Sequence, residues 1–489
     1  MASEFKVPES LQDLELPKQD RYCVLNVVDD FRDSTTSKLH DVLEELQERL
    51  KKGGSTALAE AENFDVLYAL VRDFKYVPSE IKGRIMDVLR GQLRIITPQL
   101  GGKGRGSVTG SGAAPLATRN AFKMAVFLTY ACSATAESMF SSAKQNEMLQ
   151  DRPKGRKKAQ PKDHGKFNWE MVRGDALQSM SLALSVDMSR LWNMGVPDEA
   201  FILLFTRLAE KILELPTTLL TKDAKLSIFE LIGVPYSSAA SMAIPICASV
   251  LQQITTHKHL PSVMAELCLY MARFHKDKRL ASDLVREIGR MPMTDSKKNA
   301  EAIRNVSQFL TDLTVLMPAV VKANISVLVP HFKSEPYAIR SAVSTCIGSI
   351  VTACNEEKRL RSADSSQQPQ GEEDGDEGSN IRMQPEERDK LLDILVERVH
   401  DVSSYTRSAV LKVWLGLVEA HALPLDRVLT VAKIAADRLL DKTTGVRKYA
   451  VQLLTGLLDN NPYMGSLDPG AYEETKAMTS KLQNLFCAL

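Results

Sequence analysis

The sequence predicts an all-α fold: an α-solenoid of stacked helix pairs, preceded by a helical N-terminal domain. Three observations predict it. First, three C-terminal segments fit one template, an apolar helical stretch, a short polar turn ending in Arg, and a second helical stretch. The arginines are Arg340, Arg407 and Arg447. After each, apolar or small residues recur at +3, +7, +10 and +11: Val343, Ile347, Ile350 and Val351; Val410, Trp414, Leu417 and Val418; Ala450, Leu454, Leu457 and Leu458. Second, a proline opens the first helix of each unit, at Pro318, Pro385 and Pro424, lying 22, 22 and 23 residues before its Arg. Third, no sustained strand-like alternation appears along the 489 residues.

Spacings of three and four place the apolar residues on one helical face. One pair of helices cannot bury that face alone, so units must stack. Proline is tolerated in a first helical turn, where its missing N–H loses no partner. Arg407 and Arg447 are 40 residues apart, while Arg340 and Arg407 are 67 apart because a polar, acidic insert separates them. A helix pair repeating at about 40 residues is the HEAT-type signature. Asp401 and Asp441 each precede their Arg by six residues, across the turn between the two helices, and Ser334 takes that place in the first unit. In a stacked solenoid such Asp and Arg residues can pair between neighbouring turns. Arg340, Asp401, Arg407, Trp414, Asp441 and Arg447 are therefore read as structural repeat positions, with an incomplete ladder at Ser334.

Upstream, residues 1–100 read as a helical N-terminal domain. Leu39, Val42, Leu43, Leu46 and Leu50 mark one amphipathic helix, closed by Gly53 and Gly54; Phe64, Leu67, Leu70, Val71 and Phe74 mark a second. A third, with Ile81, Ile85, Val88 and Leu89, starts after Pro78 and Ser79. Residues 101–118 are a Gly/Ser-rich linker; without a Gly-Lys-Ser/Thr ending or a preceding strand they are no phosphate loop. A helical segment, 119–143, leads to a basic linker, 144–168. Its stretch 144–166 holds eight Lys/Arg against three Asp/Glu. Lys154, Arg156, Lys157, Lys158 and Lys162 are candidates for DNA contact or nuclear import, against the plain alternative of a solvated loop. HEAT-like repeats are expected over 169–355. They begin with one long helix carrying Trp169, Val172, Ala176, Met180, Leu184, Met188 and Leu191, followed by a helix opening at Pro197 with Asp198 and Glu199 in its first turn. Residues 356–384 form an acidic insert, disordered at least over 362–380, where six acidic and no basic residues fall between Asp364 and Glu377. HEAT repeats resume over 385–489.

Composition bounds the function. The chain is 44% hydrophobic and 25% charged with a formal net charge of +1, which argues against a uniformly basic nucleic-acid binder but permits a local basic groove. The start, MASEFKVPES, lacks a signal-peptide core, and no uninterrupted apolar run of membrane-spanning length appears. Seven scattered cysteines without a Cys-x-x-Cys pair read as small apolar residues of a reduced, intracellular protein. His257 and His259 are a close pair without a nearby Cys or carboxylate to complete a metal site. No metal, cofactor or catalytic residue is expected.

Several stretches resemble the condensin complex subunit 1 family, the large non-SMC HEAT-repeat subunits of condensin. They include ALQSMSLALSVDMSRLWNMGVPDEAFILLFTRLAEKILELPTT (176–218), HLPSVMAEL (259–267), LVREIGRM (284–291) and ISVLVPHFKSEPYAIRSAV (325–343). The most telling are LLDILVERVHDVSSYTRSAVLKVWLGLVE (391–419) and DRLLDKTTGVRKYAVQLLTGLLDNNP (437–462), while FDVLYALVRDFKYVPSEIKGRIMDVL (64–89) resembles that family's N-terminal domain. The resemblance covers nearly the whole chain but only the N-terminal part of the family. The segment IGVPYSSAAS (232–241) looks several residues shorter than the family pattern, so an incomplete helix pair is expected there. The resemblance implies a non-catalytic scaffold in mitotic chromosome condensation, in the nucleus and on chromosomes with a cytoplasmic pool. Its implied partners are the kleisin and SMC ATPase subunits and double-stranded DNA in chromatin, histones included, with no membrane or small-molecule substrate. Periodicity alone leaves open another HEAT scaffold or transport adaptor. A helical enzyme would need a nucleophile beside a base in a Gly-rich turn.

Overall fold

The computed structural model describes residues 4–7, 31–101, 113–149, 167–192, 198–216, 221–238, 240–294, 299–364 and 381–460. Among them helices dominate and no strand occurs. The chain divides into two compact units, residues 1–246 and 247–489.

In the first unit α1 (Thr36–Gly53), α2 (Ala61–Arg72) and α3 (Ser79–Ile96) build the N-terminal domain. α1 starts because Thr35 caps it, its side chain accepting from Lys38 N–H, and stops at Gly54, whose φ of 63° suits glycine. Its stripe Leu39, Leu43, Leu46 and Leu50 is buried, as are Phe64, Leu67 and Leu70 of α2 and Ile81, Ile85 and Leu89 of α3. The faces of α2 and α3 close on a long central helix, α4 (Leu116–Leu149), while α1 packs on α2 and α3; α4 also packs against α5 (Trp169–Ala183) and α6 (Glu199–Leu213). α7 (Lys222–Ser238) completes this unit by packing on α5 and α6. Glu137 of α4 is fully buried and accepts from Trp169 Nε1 at 2.6 Å and from both sides of the Arg173 guanidinium at 2.9 and 3.1 Å, fastening α4 to α5.

In the second unit the helices form two layers. α8 (Ala240–Thr256) contains the junction between the units. Then follow α9 (Pro261–Phe274), α10 (Arg279–Arg290), α11 (Ala300–Leu316), α12 (Pro318–Ala323), α13 (Ile325–Leu328), α14 (Tyr337–Asp364), α15 (Pro385–Arg398), α16 (Ser404–Glu419), α17 (Val428–Arg438) and α18 (Thr444–Asp459). The second helices α9, α11, α14, α16 and α18 pack side by side in sequence order, which is the stacking of a helical solenoid. The first helices α10, α12–α13, α15 and α17 lie against them as the other layer. The repeat stripe is buried against the neighbouring helices: Val343, Ile347, Ile350, Val351, Val410, Trp414, Leu417, Val418, Ala450, Leu454 and Leu457 are all buried.

Several expectations need correction. Leu458 is 53% exposed, and so is Val451, at 52%. The matching Val351 and Ser344 of α14 are covered by α16, and Val418 and Leu411 of α16 by α18. Among the described residues no further second helix lies on α18. The single helix expected from Trp169 to Leu191 ends at Ala183. There the chain is diverted to residues 100–101: Asp187 N–H donates to the Gly101 carbonyl at 3.1 Å and Arg190 Nη1 to the Leu100 carbonyl at 2.9 Å. Asp198 is the N-cap of α6, not part of its first turn, and accepts from Phe201 N–H. α7 and α8 each run 17 residues on either side of residue 239, with Pro235 and Pro245 inside them, so both helices are complete despite the short 232–241 segment. The first helix of the Arg340 unit is broken into α12, α13 and a 3-10 turn, Val329–Lys333. α14 continues to Asp364, supported by the Arg361–Glu357 pair one turn apart at 2.9 Å. Over Tyr337–Arg361 it is long and apolar enough by composition to cross a membrane, but its apolar stripe is buried against α11 and α16.

Candidate protein-binding groove and its supporting ladder

The turns between paired helices carry a ladder of charge. Arg340 meets the Asp401 carboxylate edge-on, Nε to Oδ2 and Nη2 to Oδ1 both at 2.9 Å. Arg407 meets Asp441 in the same way, at 2.8 and 2.9 Å. The third guanidinium nitrogen of each Arg folds back on its own turn. Nη1 donates to the carbonyls of Ser334 and Glu335 from Arg340, of Asp401 and Val402 from Arg407, and of Asp441 and Lys442 from Arg447. Each Asp also accepts from a backbone N–H two residues on, Ser403 at 2.8 Å and Thr443 at 2.9 Å, which shapes the start of the second helix. One aspartate thus closes its own turn and holds the preceding repeat. Both carboxylates are only 3% exposed. The hydrogen bond from Arg407, against the cost of burial and with help from Thr443 N–H and Arg438, holds the Asp441 carboxyl below the ordinary carboxylate value. At Ser334, where the carboxylate is missing, His331 ties the turn instead. Its Nε2 donates to the Ile288 carbonyl of α10 at 2.9 Å, and Nδ1 lies 3.3 Å from Ser334 Oγ.

With the turns fixed, the second helices present a continuous outer face. α11, α14, α16 and α18 line a groove of about 940 Å³. Along α16 the lining residues Ser404, Ser408, Lys412 and Gly416 recur every four positions, so they form one row. Gly348 and Ser349 of α14 and Gly445 in the first turn of α18 keep the floor low. The rim is apolar and aromatic: Val315 is 67% exposed, and Tyr405, 66% exposed, stacks on Tyr337 with centroids 4.7 Å apart. Lys412 sits 4.5 Å over the Tyr449 ring, and its hydrogen bond lowers the Tyr449 phenol below the ordinary tyrosine value. Among the lining residues Lys412 is the one cation and Glu356 the one anion. A duplex binder needs a row of cations to replace counterions. Small residues, hydroxyls and an aromatic rim instead suit the backbone of an extended peptide.

The other candidate residues fall elsewhere. Lys154, Arg156, Lys157, Lys158 and Lys162 lie outside the described residues, as do 365–380 of the acidic insert and 461–489. Trp414 is fully buried beneath the groove-lining row of α16. His257 and His259 bring their rings to 5.6 Å, and no group of three metal-ligating side chains occurs among the described residues. Burial pushes the Cys346 thiol up to about 11, and Cys354 likewise to about 11, leaving both protonated and weakly nucleophilic. The groove row was not singled out in the sequence. Ser, Lys and Gly at steps of four on a helix read as a solvated face, and only the side-by-side packing of four such faces makes a groove.

Residues 79–237 match the family model described as "non-SMC mitotic condensation complex subunit 1, N-term". The chain is 28% identical over 483 residues to the Condensin-1 complex subunit CAP-D2 of Arabidopsis thaliana, covering 97% of this chain and 32% of that relative. It is 29% identical over 412 residues to the Condensin complex subunit 1 of Xenopus laevis, covering 82% and 28% of the two chains. The Mus musculus Condensin complex subunit 1 is 30% identical over 413 residues, covering 83% and 28%. The chain therefore spans about a third or less of the length of these relatives. Family model and relatives converge: the chain is related to the condensin complex subunit 1 family, and it shares with that family the N-terminal part.

Proposed function

We propose that this chain is a non-catalytic scaffold of a condensin complex, acting in mitotic chromosome condensation by holding an extended segment of the kleisin subunit in the groove along α11, α14, α16 and α18. The observation that carries this reading is the groove itself, continuous over four repeats, floored by small residues and nearly free of charge. The relationship to condensin subunit 1 supplies the class of partner. On this reading the SMC ATPases supply the chemistry and the HEAT subunit supplies position, with no cofactor of its own. The chain works in the nucleus and on chromosomes, with a cytoplasmic pool. Contact with chromatin DNA or histones is assigned to the basic stretch Lys154–Lys162, since the groove lacks the charge for it. The domain division 1–100, 101–118, 119–143, 144–168, 169–355, 356–384 and 385–489 is part of the same proposal.

A photo-crosslinking residue at Ser408, on the groove floor, tests it. In the purified chain mixed with recombinant kleisin it should give a kleisin adduct, and the same residue at the exposed Leu425 should give none. Equal labelling at both places would remove the groove from the account.

A further inference from the structure

Residues 4–7 form neither helix nor strand, yet two of the four are almost completely buried in the N-terminal unit. Their side chains alternate: Phe5 and Val7 are 3% exposed, and Lys6 points to solvent. Phe5 N–H donates to Asn120 Oδ1 at 2.9 Å, and its ring meets Phe64 edge-on at 5.5 Å and Phe127 at 6.2 Å. The carboxylate of Glu4 accepts from Lys123 Nζ at 2.8 Å and lies 3.6 Å from Arg119 Nη1. The residues beneath are built into α4. Arg119, Asn120 and Lys123 are 3%, 0% and 2% exposed, and Lys123 is stacked over the Trp192 ring at 4.6 Å. Burying two cations on one helical turn is costly without an anion. Among the described residues Glu4 is the carboxylate in reach of both. Arg119 is not fully used: its Nε and Nη1 are buried without a hydrogen-bond partner.

We propose that the face of α4 from Arg119 to Phe127 is a recognition site for a short extended peptide, one with a carboxylate, an aromatic residue next to it and an aliphatic residue two further on. Residues 4–7, Glu-Phe-Lys-Val, occupy this site as an exchangeable intramolecular ligand. The contacts are those of peptide recognition: alternate side chains in pockets, one main-chain hydrogen bond, and a charge clamp. The segment contributes no secondary structure to the unit, so its release is a local opening and not an unfolding. The spare donors of Arg119 suit a ligand whose carboxylate reaches deeper than that of Glu4.

The test is a fluorescence titration of the chain lacking residues 1–7 with a labelled peptide, SEFKVP. The shortened chain should keep its helical circular dichroism and bind the peptide saturably, one to one. Phe5→Ala in the peptide should weaken binding by about a hundredfold or more, and Glu4→Ala by about tenfold. The intact chain should bind the peptide far more weakly, because its site is filled. The full-length Phe5→Ala chain provides a second acceptor, which should take up the labelled peptide where the unaltered chain does not. Loss of helical signal on removing residues 1–7, or binding indifferent to Phe5→Ala, would overturn the proposal, as would failure of the Phe5→Ala chain to bind.

Discussion

Asp441 has two jobs, and its surroundings make each depend on the other. It sets the turn before α18 through Thr443 N–H, and it receives the Arg407 guanidinium from the preceding repeat. Replacing Arg407 with Ala leaves that carboxylate buried without its main partner, so the second unit should lose about 3–5 kcal/mol. Adding Asp441→Asn should restore part of the loss, measured by urea unfolding. The pH dependence has a definite sign. Because the folded value of Asp441 lies below its ordinary 3.8, its stabilisation is present above the unfolded value and lost as pH falls through the folded one. The melting temperature should therefore fall on acidification below about pH 4, and less steeply in Asp441→Asn. Trp414 is fully buried while its Nε1 finds no hydrogen-bond partner. Trp414→Ala should cost about 3–5 kcal/mol, whereas Trp414→Phe, which removes an unsatisfied N–H, should cost distinctly less. Thermal melts of the two variants check this. The register of Trp414 was readable from the +7 spacing alone, since burial follows the helical period. The exposure of Leu458 was not, because periodicity cannot tell whether a neighbour covers the stripe.

Between helices, fit is set by glycines that the repeat pattern does not mark. A Cβ on Gly348 of α14 would stand 2.5 Å from Val413 Cγ1 of α16, and one on Gly456 of α18 would stand 2.7 Å from Leu415 Cδ1. These close approaches keep the second helices side by side and the groove narrow. Alanine is the better helix former by up to about 1 kcal/mol, yet Gly348→Ala should destabilise the chain by about 1–3 kcal/mol, because the packed neighbour must move. A rise in the urea midpoint for this variant would contradict the packing described. The elements themselves are legible wherever apolar period and breakers agree, as for α1, with its leucine stripe closed by Gly53 and Gly54. The local pattern misleads where a distant segment intervenes. α5 ends at Ala183 because Asp187 and Arg190 bond to residues 100–101, and no local signal in 169–191 announces those partners. α14 outran the sequence reading because Glu357 and Arg361 support a helix within a stretch whose composition reads as a polar loop.

At the scale of the molecule two features carry the two proposed contacts. The groove offers a peptide-sized channel of about 940 Å³ with one lining lysine, and the basic stretch 144–166 offers charge. Replacing Lys154, Arg156, Lys157, Lys158 and Lys162 with Ala should weaken duplex DNA binding alike for all sequences. It should also lower the slope of log affinity against log salt by up to about 0.9 per lost phosphate contact. Unchanged binding with lost nuclear accumulation would make the stretch an import signal. That the second unit is a stack of helix pairs is readable from Arg340, Arg407 and Arg447, because a repeated unit writes its period into the sequence. The groove was not readable, because it belongs to no single helix. The central claim, that an extended kleisin segment lies along α11, α14, α16 and α18, is tested most directly by hydrogen–deuterium exchange of the purified chain with and without kleisin. Protection should appear along the groove-lining stretches of α14 and α16, around Thr345–Glu356 and Ser404–Gly416, and at the start of α18, while α10, α15 and α17 in the other layer stay unchanged. Kleisin binding that protects the first-helix layer and leaves the groove helices as they were would contradict it.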